Sequence, residues 1–223
     1  AQAISALSRG LHDTPWRRCA LWAHMDVERK TWTLYPQASY DSQKARPKPV
    51  KEDPLPLRRK RKYEEQGCRR TVRAVLLVHV RGHPHLLALQ RGEGEHELPG
   101  GALEPAESEK DGLNRKMKRF IFNDDPSVVC EWKIGDLLAM WWCPSFEGVG
   151  YPYLPQHVTR PKECIKVYQV VLPERCVFAV PPGDRLVAIP FFDLFADPKA
   201  YGPMLRDIPQ LVSKYAIALY EPN

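Results

Sequence analysis

The chain has 223 residues, 43% of them hydrophobic, a formal net charge of +6 and a pI near 9.0. That size suits one ordinary domain with a substantial core, and no apolar run reaches the roughly 20 residues that span a bilayer. The opening Ala1-Gln-Ala-Ile-Ser-Ala-Leu7 lacks the charged and long apolar parts of a secretory signal, so the chain reads as soluble and intracellular, with a basic balance that suits nucleic acid or acidic protein without proving either.

Residues 1–30 carry Trp16, Trp22 and Arg17-Arg18 without a clear period and are read as an N-terminal extension. Thr31–Tyr35 alternates like a short strand. From Asp41 to Lys62 the composition turns basic and proline-rich, with nine Lys or Arg against Asp41, Glu52 and Asp53. Its end, Arg58, Arg59, Lys60, Arg61 and Lys62, reads as a nuclear-import signal or a phosphate-contacting patch, or else as the solvated start of a charged helix. Residues 31–70 are set apart as a basic segment, and 71–223 as the folded domain.

Thr71–Val80 is strongly strand-like, and Leu86–Gln90 follows after a turn at Gly82–Pro84, giving a hairpin. That turn also accounts for His83-Pro-His85 without a metal. Asp136–Trp142, Lys166–Leu172 and a last strand at Leu186–Ile189 come next, with a long Pro- and Tyr-rich loop at 144–161. Ile208–Ala218 has the period of an amphipathic helix. The six cysteines contain no C-x-x-C pair and are read as free thiols. The pattern predicts an α/β class: a mixed sheet between helices.

The most telling stretch is Leu98-Pro-Gly-Gly-Ala-Leu-Glu-Pro-Ala-Glu107, continuing to Arg115-Lys-Met-Lys-Arg-Phe120. It resembles a Nudix box, G-x5-E-x7-R-E-U-x-E-E-x-G-U, with Gly101, Glu107 and Arg115 at the right spacing. The glutamates that should come after the arginine are replaced by Lys116, Arg119 and Phe120. Those three positions share a helix face, where carboxylates would hold Mg²⁺ through hard oxygen ligands and activate water. Two cations and a phenyl ring supply no such ligands. No catalytic residue, metal or cofactor is expected. Arg115, Lys118 and Arg119 form instead a basic stripe that could hold an anion, or simply a solvated face.

Further stretches extend the likeness: Thr33-Leu-Tyr-Pro, Arg69-Arg-Thr-Val, Trp141-Trp142, Tyr151-Pro-Tyr-Leu-Pro, Phe178-Ala-Val-Pro, Tyr201-Gly-Pro and Pro209-Gln-Leu-Val-Ser-Lys-Tyr. Over residues 31–223 the chain resembles the 25-kilodalton subunits of pre-mRNA cleavage factor Im. That family has the Nudix α/β/α sandwich and lacks hydrolase activity. The resemblance implies a nuclear homodimer that binds a UGUA-type RNA element and docks a larger subunit of the 3′-end processing machinery. Leu98, Tyr201 and Gly202 match family positions that shape the RNA pocket, and Tyr151, Tyr153 and Leu211 match positions for larger-subunit docking. The pocket departs from the pattern where Glu95 replaces a base-stacking aromatic, His96 its aromatic neighbour and Arg73 a base-reading glutamate. Stacking contributes roughly 1–3 kcal/mol per base, and a carboxylate repels phosphate. UGUA selectivity is therefore expected to be weakened, altered or lost.

Two other readings stay open on the sequence alone. One is a protein scaffold without specific RNA binding. The other is a hydrolase of dinucleoside polyphosphates with carboxylates drawn from Glu104, Glu107 and Glu109.

Overall fold

The structure, a computed structural model, describes residues 29–45, 55–92, 94–120, 131–146 and 150–220, less the side chains of residues 55, 119, 120 and 198. The expected extension thus lies almost wholly outside the described residues. In chain order the first strands and helices are β1 (Thr31–Leu34), β2 (Tyr40–Lys44), α1 (Leu55–Gln66), β3 (Arg69–Val80), β4 (His83–Arg91), β5 (Glu95–Glu97), β6 (Gly100–Ala102) and α2 (Glu109–Phe120). Then come β7 (Lys133–Cys143), β8 (Glu163–Val171), β9 (Cys176–Val180), β10 (Asp184–Pro190), α3 (Phe191–Ala196), α4 (Pro198–Arg206), α5 (Ile208–Val212) and β11 (Ala216–Leu219).

β3 is the central strand. Both of its faces are covered, which is why it reads as a nearly unbroken apolar run rather than an alternating one. Val72, Ala74, Leu76 and Val78 enter one core with Leu113 and Met117 of α2 and Phe178 of β9. Val75 and Leu77 enter the other, with Trp32 and Leu34 of β1, Leu194 of α3, Leu205 of α4 and Ile208 and Val212 of α5. The main sheet runs β10-β4-β3-β8-β7, with β5 beside β4 and β6 beside β3; β3 and β8 are parallel and the other pairs antiparallel. The α/β/α expectation is met, with α2 on one face and α3–α5 on the other. Among the described residues no helix is long and apolar enough to cross a membrane.

Several local expectations need correcting. The hairpin turns at Arg81 and Gly82, with φ of 51° and 77°. This is the paired left-handed geometry that matches strand twist. Pro84 sits inside β4 opposite His79, so His83-Pro-His85 is strand rather than turn. Ile208–Ala218 is not one helix: α5 stops at Val212, and β11 then lies parallel to β1 with Trp32 opposite Ile217. Leu186–Ile189 is consequently not the last strand. β2 and β9 carry no clear strand pattern of their own, and they pair in parallel. Cys68, Cys143 and Cys164 are free thiols, but Cys176 is disulfide-bonded, against the expectation for all six.

Candidate functional site

The Pro99-Gly-Gly turn lies against β3, where Ala74 N–H donates to the Pro99 carbonyl at 2.8 Å. The chain then loops to α2, whose start is capped by Ser108 accepting from Asp111 N–H at 3.2 Å. The two fixed spacings of the box meet here. Arg115 Nε donates to Glu107 Oε1 at 2.7 Å and Nη2 to Oε2 at 2.6 Å, a bidentate pair. Arg115 Nη1 also lies 3.1 Å from Glu104. Of the basic stripe expected on this helix, Arg115 is engaged by carboxylates and Lys118 is exposed, while the Arg119 side chain lies outside the described residues. Glu109 points elsewhere and accepts from Lys166 and Tyr168. Burial works to raise the Glu109 carboxyl, but those two hydrogen bonds and the nearby cations outweigh it and hold it below the usual range. Lys116 packs along the turn, with its Cδ 3.5 Å from where a Cβ on Gly101 would sit.

The Arg115 hydrogen bonds, helped by the Glu104 amide, pull the Glu107 carboxyl from its ordinary 4.5 to about 2. A pKa lowered by folding gives stabilisation that is complete above the unfolded value and fades as pH falls towards the folded one. Melts of the native chain and Glu107→Gln between about pH 6 and about pH 2 should show a Tm gap that is widest at the high end and narrows with acid. A gap independent of pH would contradict this account of the pair.

Most of the pocket residues named from the sequence come together. Leu98 is buried at the base of the turn. Beside it Arg73, on β3, donates from Nη1 to the Leu98 carbonyl at 2.8 Å and meets Glu97 at 3.4 Å. His96 on β5 lies against Tyr201 of α4, with ring centroids 5.0 Å apart and planes at 53°. Its Nδ1 is buried without a hydrogen-bond partner. The Tyr201 hydroxyl is pushed up by burial and by Asp193 and Asp197. Gly202 comes next with φ of 74° and ψ of 167°, a kink within α4 that an L side chain rarely adopts. Glu95 is exposed, one residue from this ring pair.

The docking residues are less uniform. Tyr151 and Tyr153 form an exposed aromatic pair with centroids 5.9 Å apart, and Leu154 next to them is also exposed. The Tyr151 backbone is fixed by exchanging hydrogen bonds with Trp142 at 2.7 and 2.8 Å. Leu211 is only partly buried and packs on the core, on a helix that contacts β7. Trp141, by contrast, is a core residue. The basic run lies on α1: Lys60, Arg61 and Lys62 are exposed, whereas Arg58 and Arg59 are half-buried.

A family model described as NUDIX_2, nucleotide hydrolase, matches residues 30–215. The chain is 40% identical over 184 residues to the pre-mRNA cleavage factor Im 25 kDa subunit 2 of Arabidopsis thaliana, covering 81% of this chain and 92% of that protein. It is 41% identical over 191 residues to the cleavage and polyadenylation specificity factor subunit 5 of Dictyostelium discoideum, covering 83% and 94%. Subunit 1 of the Arabidopsis factor is 38% identical, covering 84% and 86%. The chain belongs to the cleavage factor Im 25 kDa subunit family. It is thus an mRNA 3′-end processing factor on the Nudix fold.

Within this cleavage factor subunit, two features are not legible from the residues alone. Glu97 bridges Arg73 and Arg91, the second at 3.6 Å; the alternating charges of Arg91, Glu95 and Glu97 around a tight turn are the signal that could have marked it. Tyr63 is the other. It donates to the Arg160 carbonyl at 3.3 Å, with Lys162 Nζ over its ring at 3.9 Å, and so ties α1 to the long loop. A single tyrosine in a charged run carries no mark of that contact.

Proposed function

We propose that this protein is a non-catalytic, nuclear subunit of the 3′-end processing machinery that contacts RNA at the His96–Tyr201 pocket and docks a larger subunit through its exposed tyrosines. The observation that carries the RNA reading is the ring pair itself: an imidazole and a phenol with centroids 5.0 Å apart. Such rings offer a stacking platform for a base. Tyr201 and Gly202 shape the other wall.

A non-enzymatic role is supported by the carboxylates that remain near the box. Glu104 and Glu107 are engaged by Arg115, and Glu109 by Lys166 and Tyr168. None is left to gather a divalent cation, and Lys116 occupies the face of the turn where the first ligand would stand. Homodimerisation is carried over from the family to this reading.

Fluorescence anisotropy with UGUA-containing and scrambled RNA at two salt concentrations tests the pocket. Any preference for the UGUA strand should be weak, and His96→Ala should weaken RNA binding by roughly 5–150-fold, the worth of one stacked base. Equal binding of both strands with a steep salt slope would reduce the contact to phosphate alone. Sequence choice would then rest with a partner.

A further inference from the structure

The segment between β7 and β8 carries the exposed pair Tyr151 and Tyr153. Among its described residues the middle has few ties. Tyr151 exchanges backbone hydrogen bonds with Trp142, and Val158 N–H donates to the Pro155 carbonyl at 2.9 Å. The side chains of Tyr151, Tyr153 and Leu154 stand largely in solvent.

The two ends are held more firmly, and by one face of α1, since Arg59 and Tyr63 are four residues apart. At the first end, Arg59 Nη1 donates to the Phe146 carbonyl at 3.3 Å. The Phe146 ring meets Tyr63 edge-on, with centroids 5.6 Å apart and planes at 87°. At the second, the Tyr63 hydroxyl donates to the Arg160 carbonyl at 3.3 Å. Lys162 joins the two ends: its Nζ lies 3.9 Å from the Tyr63 ring centroid and 5.5 Å from that of Phe146. An ammonium over aromatic faces is attracted by their quadrupoles, the more so where water is partly excluded, and these three residues are half-buried. The Lys162 backbone is fixed on both sides. Its N–H donates to the Cys143 carbonyl at 2.8 Å, and its carbonyl accepts from Arg69 N–H at 3.0 Å. Among the described residues no carboxylate pairs with its ammonium, so the rings are its counterpart.

We propose that Lys162 and Tyr63 are positioning residues of the partner-docking surface, a role that rests on the docking reading of Tyr151 and Tyr153. They clasp both ends of the segment to α1 and so present the two tyrosines in a fixed place. A surface ordered before contact loses less freedom on binding, and therefore binds more tightly than the same residues on a loose segment.

The test is calorimetric titration of the full chain with the purified larger subunit, alongside melts and hydrogen exchange of amides 151–158. Lys162→Met keeps a long side chain and removes the charge. It should weaken docking by roughly tenfold, the scale of one partly buried cation–π contact, and speed exchange in the segment while Tm stays near native. Tyr63→Leu should weaken docking alike, and Lys162→Arg, which retains a cation over the rings, should keep native affinity. Added to Tyr151→Ala/Tyr153→Ala, Lys162→Met should cost nothing further, because the groups it positions are gone. Native affinity or native exchange in Lys162→Met, or an additive loss in the triple variant, would overturn the clasp. Native affinity in the tyrosine double variant would instead remove the docking reading itself, and the proposal with it.

Discussion

Gly100→Ala is expected to destabilise the fold by roughly 2–6 kcal/mol, from overpacking together with backbone strain. Gly100 has a φ of 144°, and a Cβ built there would stand 2.1 Å from the Val72 carbonyl oxygen and 2.9 Å from Arg73 Cα. Both are backbone atoms of the central strand and cannot swing aside. Gly101 makes the instructive contrast. Its φ is 151°, but the nearest atoms belong to the flexible Lys116 side chain at 3.5 Å. Gly101→Ala should therefore cost only the strain, about 1–3 kcal/mol. Urea unfolding of the two variants measures the difference directly. Equal midpoints would mean that the turn can move off β3, and the rigid seating described for Leu98 and Arg73 would be wrong.

The second large effect concerns assembly. Replacing Tyr151 and Tyr153 together with alanine should weaken binding of the larger processing subunit by about 100-fold or more, the range in which interface tyrosines act as hot spots. Both rings stand out from the surface, so little core packing is lost, and the Tyr151–Trp142 hydrogen bonds use backbone atoms that alanine retains. The stability should accordingly stay within the shift of an ordinary surface change, about 0.5 kcal/mol. Calorimetric titration with the purified larger subunit gives the affinity, and a parallel melt gives the stability. Unchanged affinity would remove this surface from the docking role. A matching fall in Tm would show instead that the pair props the loop.

How much of the fold and site is legible in the sequence depends on whether the information is local. The β3–β4 hairpin can be seen because two apolar runs flank a short polar break. The Glu107–Arg115 pair comes from a fixed spacing that a loop and one helical turn reproduce. β11 is hidden for the opposite reason. Ile208, Leu211, Val212 and Tyr215 continue a helical period, yet the helix stops and the chain turns, with the Tyr215 N–H donating to the Val212 carbonyl at 2.9 Å. Ala216–Leu219 is a strand only because β1 offers an edge from far away in the sequence. The pocket divides in the same way. That Arg73, Glu95 and His96 depart from the family pattern is plain from the residues. That His96 meets Tyr201 depends on α4 packing against β5, and that Glu97 meets Arg73 depends on β4 pairing with both β3 and β5.

The parallel pairing of β1 with β11 also bears on how the protein is made. Thr31 and Leu219 bracket the described body almost completely, yet Trp32 and Leu34 reach their buried positions beside the strand that, among those described, the ribosome produces last. Contacts so distant in sequence are slow to form, and the nascent domain carries an unsealed apolar edge until β11 has emerged. Completion of this pair therefore waits until Leu219 has been made, and until then that edge stays open for chaperones to cover.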